Sequence, residues 1–331
     1  MKQTIKILCA LLIAASLVGC SAKKEEATTT TEKKKVTIGA IQYVEHVALD
    51  QATQGFKDGL KDNGYVEGDN LTIDFQNAQG DASNCETIAN KFANAKVDLI
   101  FANATPAAQA VAQKTKDIPI IITSVTDPES SGLVKSNKLP ETNVSGTSDL
   151  TPIKEQLDLL VQLVPNAKTI AVMYCGAEEN SIIQADIAKK YIETLGLKYV
   201  EATVSDSNVI QSVTESLVGK VDAIYIPTDN LLAEGMANVA QVTNVNKIPV
   251  ITGEAGMAKA GGLGSYAIDY YNLGYKSGVM AANVLNGEDV SKMPIEYLPE
   301  ADCKLTINKT TADQIGLVID KAILDKAEIA E

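Results

Sequence analysis

The sequence predicts an α/β fold with two similar lobes, each built around a doubly wound parallel sheet. Two segments, at residues 97–108 and 221–230, share a pattern of an acidic residue, a short apolar run, a polar turn and a helix start. Each is followed by a second apolar run that begins with Ile-Pro, at residues 118–123 and 248–252. Alternation of strands and helices with short connections favours parallel βαβ units, and the duplication favours two lobes.

The first repeat begins at residue 36 with a short strand. The helix after it ends at Asn63-Gly64 and has an apolar face made of Leu49, Ala52, Phe56 and Leu60. The further elements are a strand at 71–78, a helix at 82–95, the duplicated segment, a strand at 118–123, and a fifth strand or crossover at 143–147.

The second repeat begins near Asp149 with a helix. It continues with strands at 169–174, 198–203, 223–226 and 250–252 and with helices at 209–218 and 231–245. In such sheets, ligands bind in the crevice outside the carboxyl ends of the strands. We therefore expect residues 103–105 and 228–230 to face each other across one cleft.

The tail departs from this rhythm, with a late strand before Tyr270 and a Gly- and Ala-rich helix at 273–285. This suggests that the chain crosses back to the first lobe and that residues 304–308 return to the second. The expected divisions are a signal peptide at 1–19, a tether at 20–35, a first lobe of 36–148 with 270–292, and a second lobe of 149–269 with 293–331.

The amino terminus has the pattern of a secreted lipoprotein. Lys2 and Lys6 precede an apolar run at residues 7–18, which is short for a membrane-spanning helix and typical of a signal peptide. The run ends in Leu17-Val18-Gly19-Cys20, which resembles a lipobox and predicts that Cys20 is lipidated. The alternative is an uncleaved amphipathic start. The Ser-, Thr-, Lys- and Glu-rich residues that follow predict a solvated tether.

Composition excludes several classes of function. The 331 residues carry a net charge of −13, so nucleic acid is not expected as a partner. All 29 basic residues are Lys, so an anionic ligand would have to be held by backbone amides, hydroxyls or Lys. Five dispersed cysteines and a single His46 predict no zinc or other metal site. The glycines at 261–264 precede a strand instead of following one, so we expect no dinucleotide cofactor.

Several motifs in one order resemble the periplasmic-binding-protein-like family of ABC-transporter solute receptors, in the branch for tryptophan and tyrosine uptake. They are Glu45-His46-x-Ala48-Leu49-Asp50, Ala104-Thr105-Pro106-Ala107-Ala108, Thr126-Asp127-Pro128, Glu179-Asn180-Ser181, Pro227-Thr228-Asp229-Asn230 and Asp269-Tyr270-Tyr271-x-Leu273-Gly274. The resemblance covers roughly residues 36–320 and implies two lobes joined by three crossovers, which close on a ligand. It also implies a membrane permease and an ATPase as partners.

The residues at the strand ends suit an α-amino acid. Asn103, Ala104 and Thr105 stand at a helix start, where amides and a hydroxyl could bind a carboxylate or simply cap the helix. Asp229 could bind the ammonium group, with Glu254 or Asp269 in reserve, although each could instead be a solvated or capping acid.

The remaining candidates would enclose the ligand from both sides. Aromatic stacking could come from Tyr43 and His46 on one side of the ligand and from Tyr174 or Tyr270 on the other. His46 could also be a general base or a structural residue. Further polar candidates from the motifs and strand ends are Ser124, Asp127, Asn180, Ser181 and Thr228.

These observations predict a monomeric, lipid-anchored receptor of an ABC importer on the outer face of the cytoplasmic membrane, with an aromatic or apolar amino acid as ligand. A ligand-sensing module of a signalling receptor is the main alternative. A two-lobed racemase is a further one, because Cys85 and Cys175 supply one thiol to each lobe, but their positions in the repeat do not correspond.

Overall fold

The computed structural model describes residues 35–330. The expected signal peptide, the expected lipidation site at Cys20 and nearly all of the tether lie outside the described residues. Within the part that is described, no helix is both long and apolar enough to cross a membrane.

The first repeat forms as the sequence indicates. Its elements are β1 (Val36–Gln42), α1 (Val47–Asp62), β2 (Leu71–Asn77), α2 (Ala82–Ala95), β3 (Leu99–Asn103), α3 (Thr105–Lys114), β4 (Ile120–Val125) and β5 (Val144–Ser148). All of β3 is buried, as expected for a central strand covered on both faces. Apolar side chains of α2 and α3 pack on one face of the sheet, and Phe56 of α1 stacks on Phe101 of β3 on the other.

The second repeat follows the same course. Its elements are α4 (Ile153–Leu163), β6 (Thr169–Cys175), α5 (Glu179–Thr194), β7 (Lys198–Val204), α6 (Ile210–Leu217), β8 (Ala223–Ile226), α7 (Asn230–Glu234), α8 (Met236–Val245), β9 (Val250–Thr252), α9 (Ala255–Lys259) and β10 (Gly264–Ala267). The single helix expected at 231–245 is divided at Gly235, whose ψ of 7° leaves the helical range. The short α9 was not anticipated.

The tail completes both lobes with α10 (Tyr270–Leu285), β11 (Glu296–Tyr297), β12 (Lys304–Asn308), α11 (Lys309–Ile315), α12 (Lys321–Leu324) and β13 (Glu328–Ala330). Helix α10 packs closely along α1 in the first lobe, because glycines on both helices let the backbones approach. Strand β11 pairs with β5, so the last crossing follows Tyr297 and not residue 292 as the sequence suggested.

Strand order confirms the two-lobed fold. One sheet has the order β11-β5-β4-β3-β1-β2 and the other β13-β12-β10-β9-β8-β6-β7, so the two repeats share one order of five strands. The chain passes between the sheets after β5, after β10 and after β11, which makes three crossings. The order reverses between β1 and β3 and between β6 and β8, and these switch points are where ligands bind in open α/β sheets.

Candidate functional site

The carboxyl ends of the strands from the two lobes meet around a small enclosed cavity, which we call the inner cavity. Its lining residues are His46, Leu49, Ser124, Thr126, Asp149, Asn180, Thr228, Asp229, Asn230, Ala233, Glu254 and Tyr270. The volume is about 20 Å³, which is room for roughly one water molecule. Seven of the residues that the sequence nominated therefore line one space: His46, Ser124, Asn180, Thr228, Asp229, Glu254 and Tyr270.

Three buried carboxyl groups dominate the electrostatics of the inner cavity. Burial raises the pKa of Asp149 to about 6 and that of Glu254 to about 7, and it also raises the pKa of Asp229. No lysine of residues 35–330 lines the cavity. A buried carboxylate without a counterion is costly, so this wall favours a positively charged group.

Two of these acids also begin helices. The carboxylate of Asp229 accepts the Leu232 N–H at 2.8 Å and the Cys175 N–H at 2.6 Å, and Glu254 accepts two amides of α9 at 2.5 Å each. Asp229 and Glu254 therefore each cap a helix and also line the inner cavity. Asp149 instead accepts the hydroxyl of Tyr270 at 2.8 Å.

On the first lobe, the amino-terminal end of α3 adjoins the end of β4, where Ser124 lines the inner cavity, because the Ala104 N–H donates to the Thr123 carbonyl at 3.1 Å. Ala104 precedes the helix with a φ of 88° and no side chain that caps it, and Ser124 at the end of β4 has a φ of 53°. Positive φ costs a residue other than glycine about 1–3 kcal/mol and is common at functional sites. The hydroxyls of Thr105 and Ser124 are buried and have no hydrogen-bond partner in the described structure. Uncapped amides and unpartnered hydroxyls suit an anionic group.

Asn103 has a different surrounding from the one expected. Its side-chain amide donates to the Leu49 carbonyl at 2.8 Å and to the Thr53 hydroxyl at 3.0 Å. These bonds join β3 to α1 inside the first lobe, so its NH₂ group is committed to the scaffold. On the second lobe, Ser181 is wholly buried next to Asn180, whose amide lies 3.2 Å from the Ser181 hydroxyl.

Three of the nominated residues that do not line the inner cavity, Asp127, Tyr174 and Asp269, have their polar groups bonded elsewhere in the structure. Asp127 accepts the Asn137 amide at 3.0 Å and the Ser130 hydroxyl at 2.5 Å, so it organises its own loop. The hydroxyl of Tyr174 donates to Glu201 at 2.6 Å within the second lobe. Asp269 caps α10 and pairs with Lys304 at 3.3 Å.

Glu178 is a functional candidate that sequence reasoning missed. It precedes α5, is almost fully buried, and accepts the Asn230 side-chain amide at 2.5 Å and the Leu231 N–H at 3.1 Å. Burial, and next the neighbouring Asp229, raise its pKa to about 7. The repeat could have identified it, because Glu178 precedes α5 after β6 as His46 precedes α1 after β1.

Direct hydrogen bonds join the two lobes across the cleft. His46 Nε2 lies 3.3 Å from Asn230 Oδ1, and the Gln184 amide lies 3.4 Å from the Thr126 hydroxyl. At the rim, the Gln109 amide donates to Glu179 at 2.5 Å. The lobes are therefore in contact in this structure.

A second space between the lobes, which we call the vestibule, has a volume of about 530 Å³. Its wall includes Tyr43, Cys85, Pro106, Cys175 and Leu231, together with several acids, among them Glu178. Glu178 also bonds Asn230 of the inner cavity, so the vestibule and the inner cavity meet at this pair.

Both thiols named by the racemase alternative line this vestibule, from opposite lobes, although their positions in the repeat differ. Burial raises the pKa of Cys85 and of Cys175 to about 12 each. The thiols are therefore protonated at neutral pH, whereas a thiol that takes up a proton must first be a thiolate.

Comparison with known proteins gives a consistent family assignment. A family model described as "ABC transporter substrate binding protein" matches residues 37–330. The chain is 46% identical over 280 residues to a protein of Clostridioides difficile named "Tyrosine-binding protein", covering 85% of this chain and 81% of that protein. It is 22% identical over 271 residues to an uncharacterized protein of Rickettsia prowazekii, covering 82% of each.

Two solved structures are similar over almost the whole folded region. One is the ABC domain from Streptococcus pneumonia in complex with L-Trp, at 37% identity and a TM-score of 0.86, covering 89% of this chain and 99% of that one. The other is a ligand-free, open substrate-binding protein with adhesive properties from Clostridium difficile, at 45% identity and a TM-score of 0.69, with the same coverage. The chain superimposes better on the L-Trp complex than on the ligand-free, open structure, although its sequence is more similar to the latter, and this agrees with the direct hydrogen bonds between its lobes.

Proposed function

This chain belongs to the family of ABC transporter substrate-binding proteins, and we propose that its ligand is an aromatic α-amino acid bound between the lobes. The observation that carries the proposal is the charge pattern of the cleft. Buried carboxyl groups line the inner cavity with no lysine among its lining residues, and the unpartnered hydroxyl of Ser124 lines it as well, next to an uncapped helix start that carries the unpartnered hydroxyl of Thr105. A zwitterion complements both.

The ammonium group of the ligand would bind in the inner cavity. Asp149, Asp229 and Glu254 supply negative charge there, and each has donors that help to keep its carboxylate ionised. The carboxylate of the ligand would meet the hydroxyls of Thr105 and Ser124 and the first amides of α3. Hydroxyls and amides would take the place of an arginine guanidinium in binding the carboxylate, because all the basic residues of the chain are Lys.

The aromatic ring would extend towards the vestibule, because the inner cavity is too small for a ring. Tyr43 borders the vestibule and is held by a hydrogen bond from its hydroxyl to the Gly80 carbonyl at 2.9 Å. A stacked pair contributes on the order of 1 kcal/mol beyond the area it buries. The tyrosine-binding relative and the L-Trp complex support an aromatic side chain over an aliphatic one.

As a receptor of an ABC importer, the protein would deliver its ligand to a permease driven by an ATPase. We propose that it does so as a monomer on the outer face of the cytoplasmic membrane, anchored through lipidated Cys20. A diacyl anchor has two chains, the number needed for stable attachment. Cys20→Ser should release the protein from membranes on fractionation; full retention would contradict the anchor.

Calorimetry with a matched ligand panel tests the binding proposal. The panel comprises L-tyrosine, L-tryptophan, L-phenylalanine, L-leucine, tyramine, tyrosine amide and 3-(4-hydroxyphenyl)propionate. Loss of one partner from a buried charged contact costs about 2–5 kcal/mol, so each analogue that lacks one charge should bind more than tenfold more weakly. Tyramine that binds as tightly as L-tyrosine would refute the carboxylate pocket. Binding of sugars or nucleosides alone would refute the amino-acid ligand.

A further inference from the structure

A chain of hydrogen bonds crosses the cleft through His46, Asn230 and Glu178. His46 Nε2 on the first lobe lies 3.3 Å from Asn230 Oδ1 on the second, and Asn230 Nδ2 lies 2.5 Å from Glu178 Oε2. His46 and Asn230 line the inner cavity, whereas Glu178 lies behind Asn230 on the vestibule side.

The carboxylate of Glu178 determines which way the amide of Asn230 points. Glu178 also accepts the backbone N–H of Leu231 at 3.1 Å and that of Asn230 at 3.3 Å, and a backbone N–H can only donate. An ionised carboxylate has no proton to give. Asn230 must therefore turn its NH₂ group to Glu178 and its carbonyl oxygen to His46.

This orientation decides the tautomer of His46. Since Asn230 Oδ1 can only accept, the proton of the ring has to be on Nε2. Burial lowers the pKa of His46 to about 4, so the ring is neutral at neutral pH and carries one N–H. Nδ1 is then an acceptor, and it is buried without a hydrogen-bond partner among residues 35–330.

We propose that the Glu178–Asn230 pair holds His46 in the Nε2–H tautomer so that Nδ1 accepts an N–H hydrogen bond from the ligand's ammonium group. This inference rests on the proposed function, which puts that group in the inner cavity. Asn230 and Glu178 are positioning residues, because they act through His46. His46 and its orienting pair lie on different lobes, so the acceptor is oriented only in the closed arrangement, and closure is thereby coupled to recognition of the amino group.

The first test reads the tautomer directly by NMR of protein labelled with ¹⁵N-histidine, which gives one spin system because His46 is the only histidine. In wild-type protein saturated with L-tyrosine at about pH 8, where Glu178 is ionised, we expect a proton on Nε2 and a bare, hydrogen-bonded Nδ1. A proton on Nδ1 would overturn the inference.

Glu178→Gln gives the sharpest contrast in this measurement. The new side-chain NH₂ must donate, so Asn230 is expected to rotate and present its own NH₂ to His46. The ring should then move its proton to Nδ1 and lose its acceptor. An unchanged tautomer in Glu178→Gln would show that the carboxylate does not orient the pair.

The second test separates positioning from a general structural effect. Asn230→Ala should raise the Kd of L-tyrosine by about tenfold or more, while the Kd of 3-(4-hydroxyphenyl)propionate, which lacks the amino group, changes by less than about twofold in competition calorimetry. Asn246→Ala is the matched control, because it removes an amide bonded to the Val242 carbonyl at 2.8 Å on the exposed end of α8. Equal weakening of both ligands by Asn230→Ala would overturn the positioning role.

Failure of the proposed function has a different signature. If wild-type protein binds no aromatic amino acid, the proposed ligand is wrong. The orientation of His46 can still be read without any ligand in a protein that is locked closed by oxidised Val47→Cys and Gly256→Cys. A proton on Nδ1 of His46 in that protein would refute the proposal that the Glu178–Asn230 pair sets the tautomer, whereas a proton on Nε2 would support it.

Discussion

A disulfide between the lobes should trap the ligand, and the structure gives the positions for it. Val47 is the first residue of α1 on the first lobe, and Gly256 lies in α9 on the second. A Cβ built on Gly256 would lie 3.1 Å from the Cβ of Val47. Disulfides join Cβ atoms about 3.8 Å apart, so the double variant Val47→Cys, Gly256→Cys requires the two positions to separate by about 0.7 Å. The side chain of Glu254 must also shift, because its Oε2 lies 2.8 Å from the Cβ built on Gly256.

The effect on release should be large, because the inner cavity is enclosed and exchange requires the lobes to part. If the cross-link removes the open state, release of bound L-tyrosine should slow by at least about a hundredfold, which corresponds to about 2.7 kcal/mol of opening free energy. Reduction should restore the original rate. The native Cys85 and Cys175 are buried, which limits their oxidation, whereas Cys303 is partly exposed and is replaced by serine in every variant.

The assay loads the reduced double variant with labelled L-tyrosine, oxidises it, and follows the retained label after gel filtration with and without reductant. The Val47→Cys and Gly256→Cys single variants are the controls, and each should release at the same rate with and without reductant, because neither can form the cross-link. If protein shown by mass spectrometry to be fully cross-linked releases L-tyrosine as fast as the protein treated with reductant, the enclosed interlobe site is refuted.

Three further predictions concern stability and pH. Thr105→Val removes a buried hydroxyl without a partner in the described structure. The free energy of unfolding should therefore stay the same or rise by up to about 1 kcal/mol, while L-tyrosine binds about tenfold more weakly. Burial raises the pKa of Asp149 to about 6 and of Glu254 to about 7. The folded state therefore binds these protons more tightly than the unfolded state does. Stability of the ligand-free protein should fall as pH rises through this range, and affinity for the amino acid should rise. Glu254→Gln should make both profiles less steep, while Asp149 and Glu178 continue to titrate. Gly274→Ala would put a Cβ 1.9 Å from a carbonyl oxygen of α1 and should cost about 3 kcal/mol or more in denaturant unfolding.

Each of these predictions has a control or a contradicting result. A clear loss of stability in Thr105→Val would mean that its hydroxyl already has a structural partner. Stability that increases with pH between about 5 and 8 in wild type, but not in Glu254→Gln, would reverse the sign assigned to that carboxyl. Gly176→Ala is the control for Gly274→Ala, because its Cβ would have its nearest neighbour at 3.8 Å; similar losses in both would exclude helix contact as the cause.

The sequence alone determined the two-lobed fold and the edge at which the site lies. Periodicity and the duplicated strand-turn-helix segments are local patterns, and parallel βαβ units have few ways to assemble, so the strands, the crossings and the shared cleft followed from them. The same reasoning placed His46, Asp229 and Glu254 at strand ends, and all three line the inner cavity. The family motifs added the expectation of an amino-acid receptor.

Tertiary structure decided which polar side chains are available to a ligand. Asp127 and Tyr174 also follow strands, but Asp127 bonds within its own loop and Tyr174 bonds Glu201 on the neighbouring strand. Asp149 gave no clear sequence signal and Glu178 gave only its position in the repeat, because the burial of both depends on segments far away in the chain. A strand-end position specifies the edge of the sheet, but the direction of a side chain is set by non-local contacts that exist only after the lobes have packed and closed.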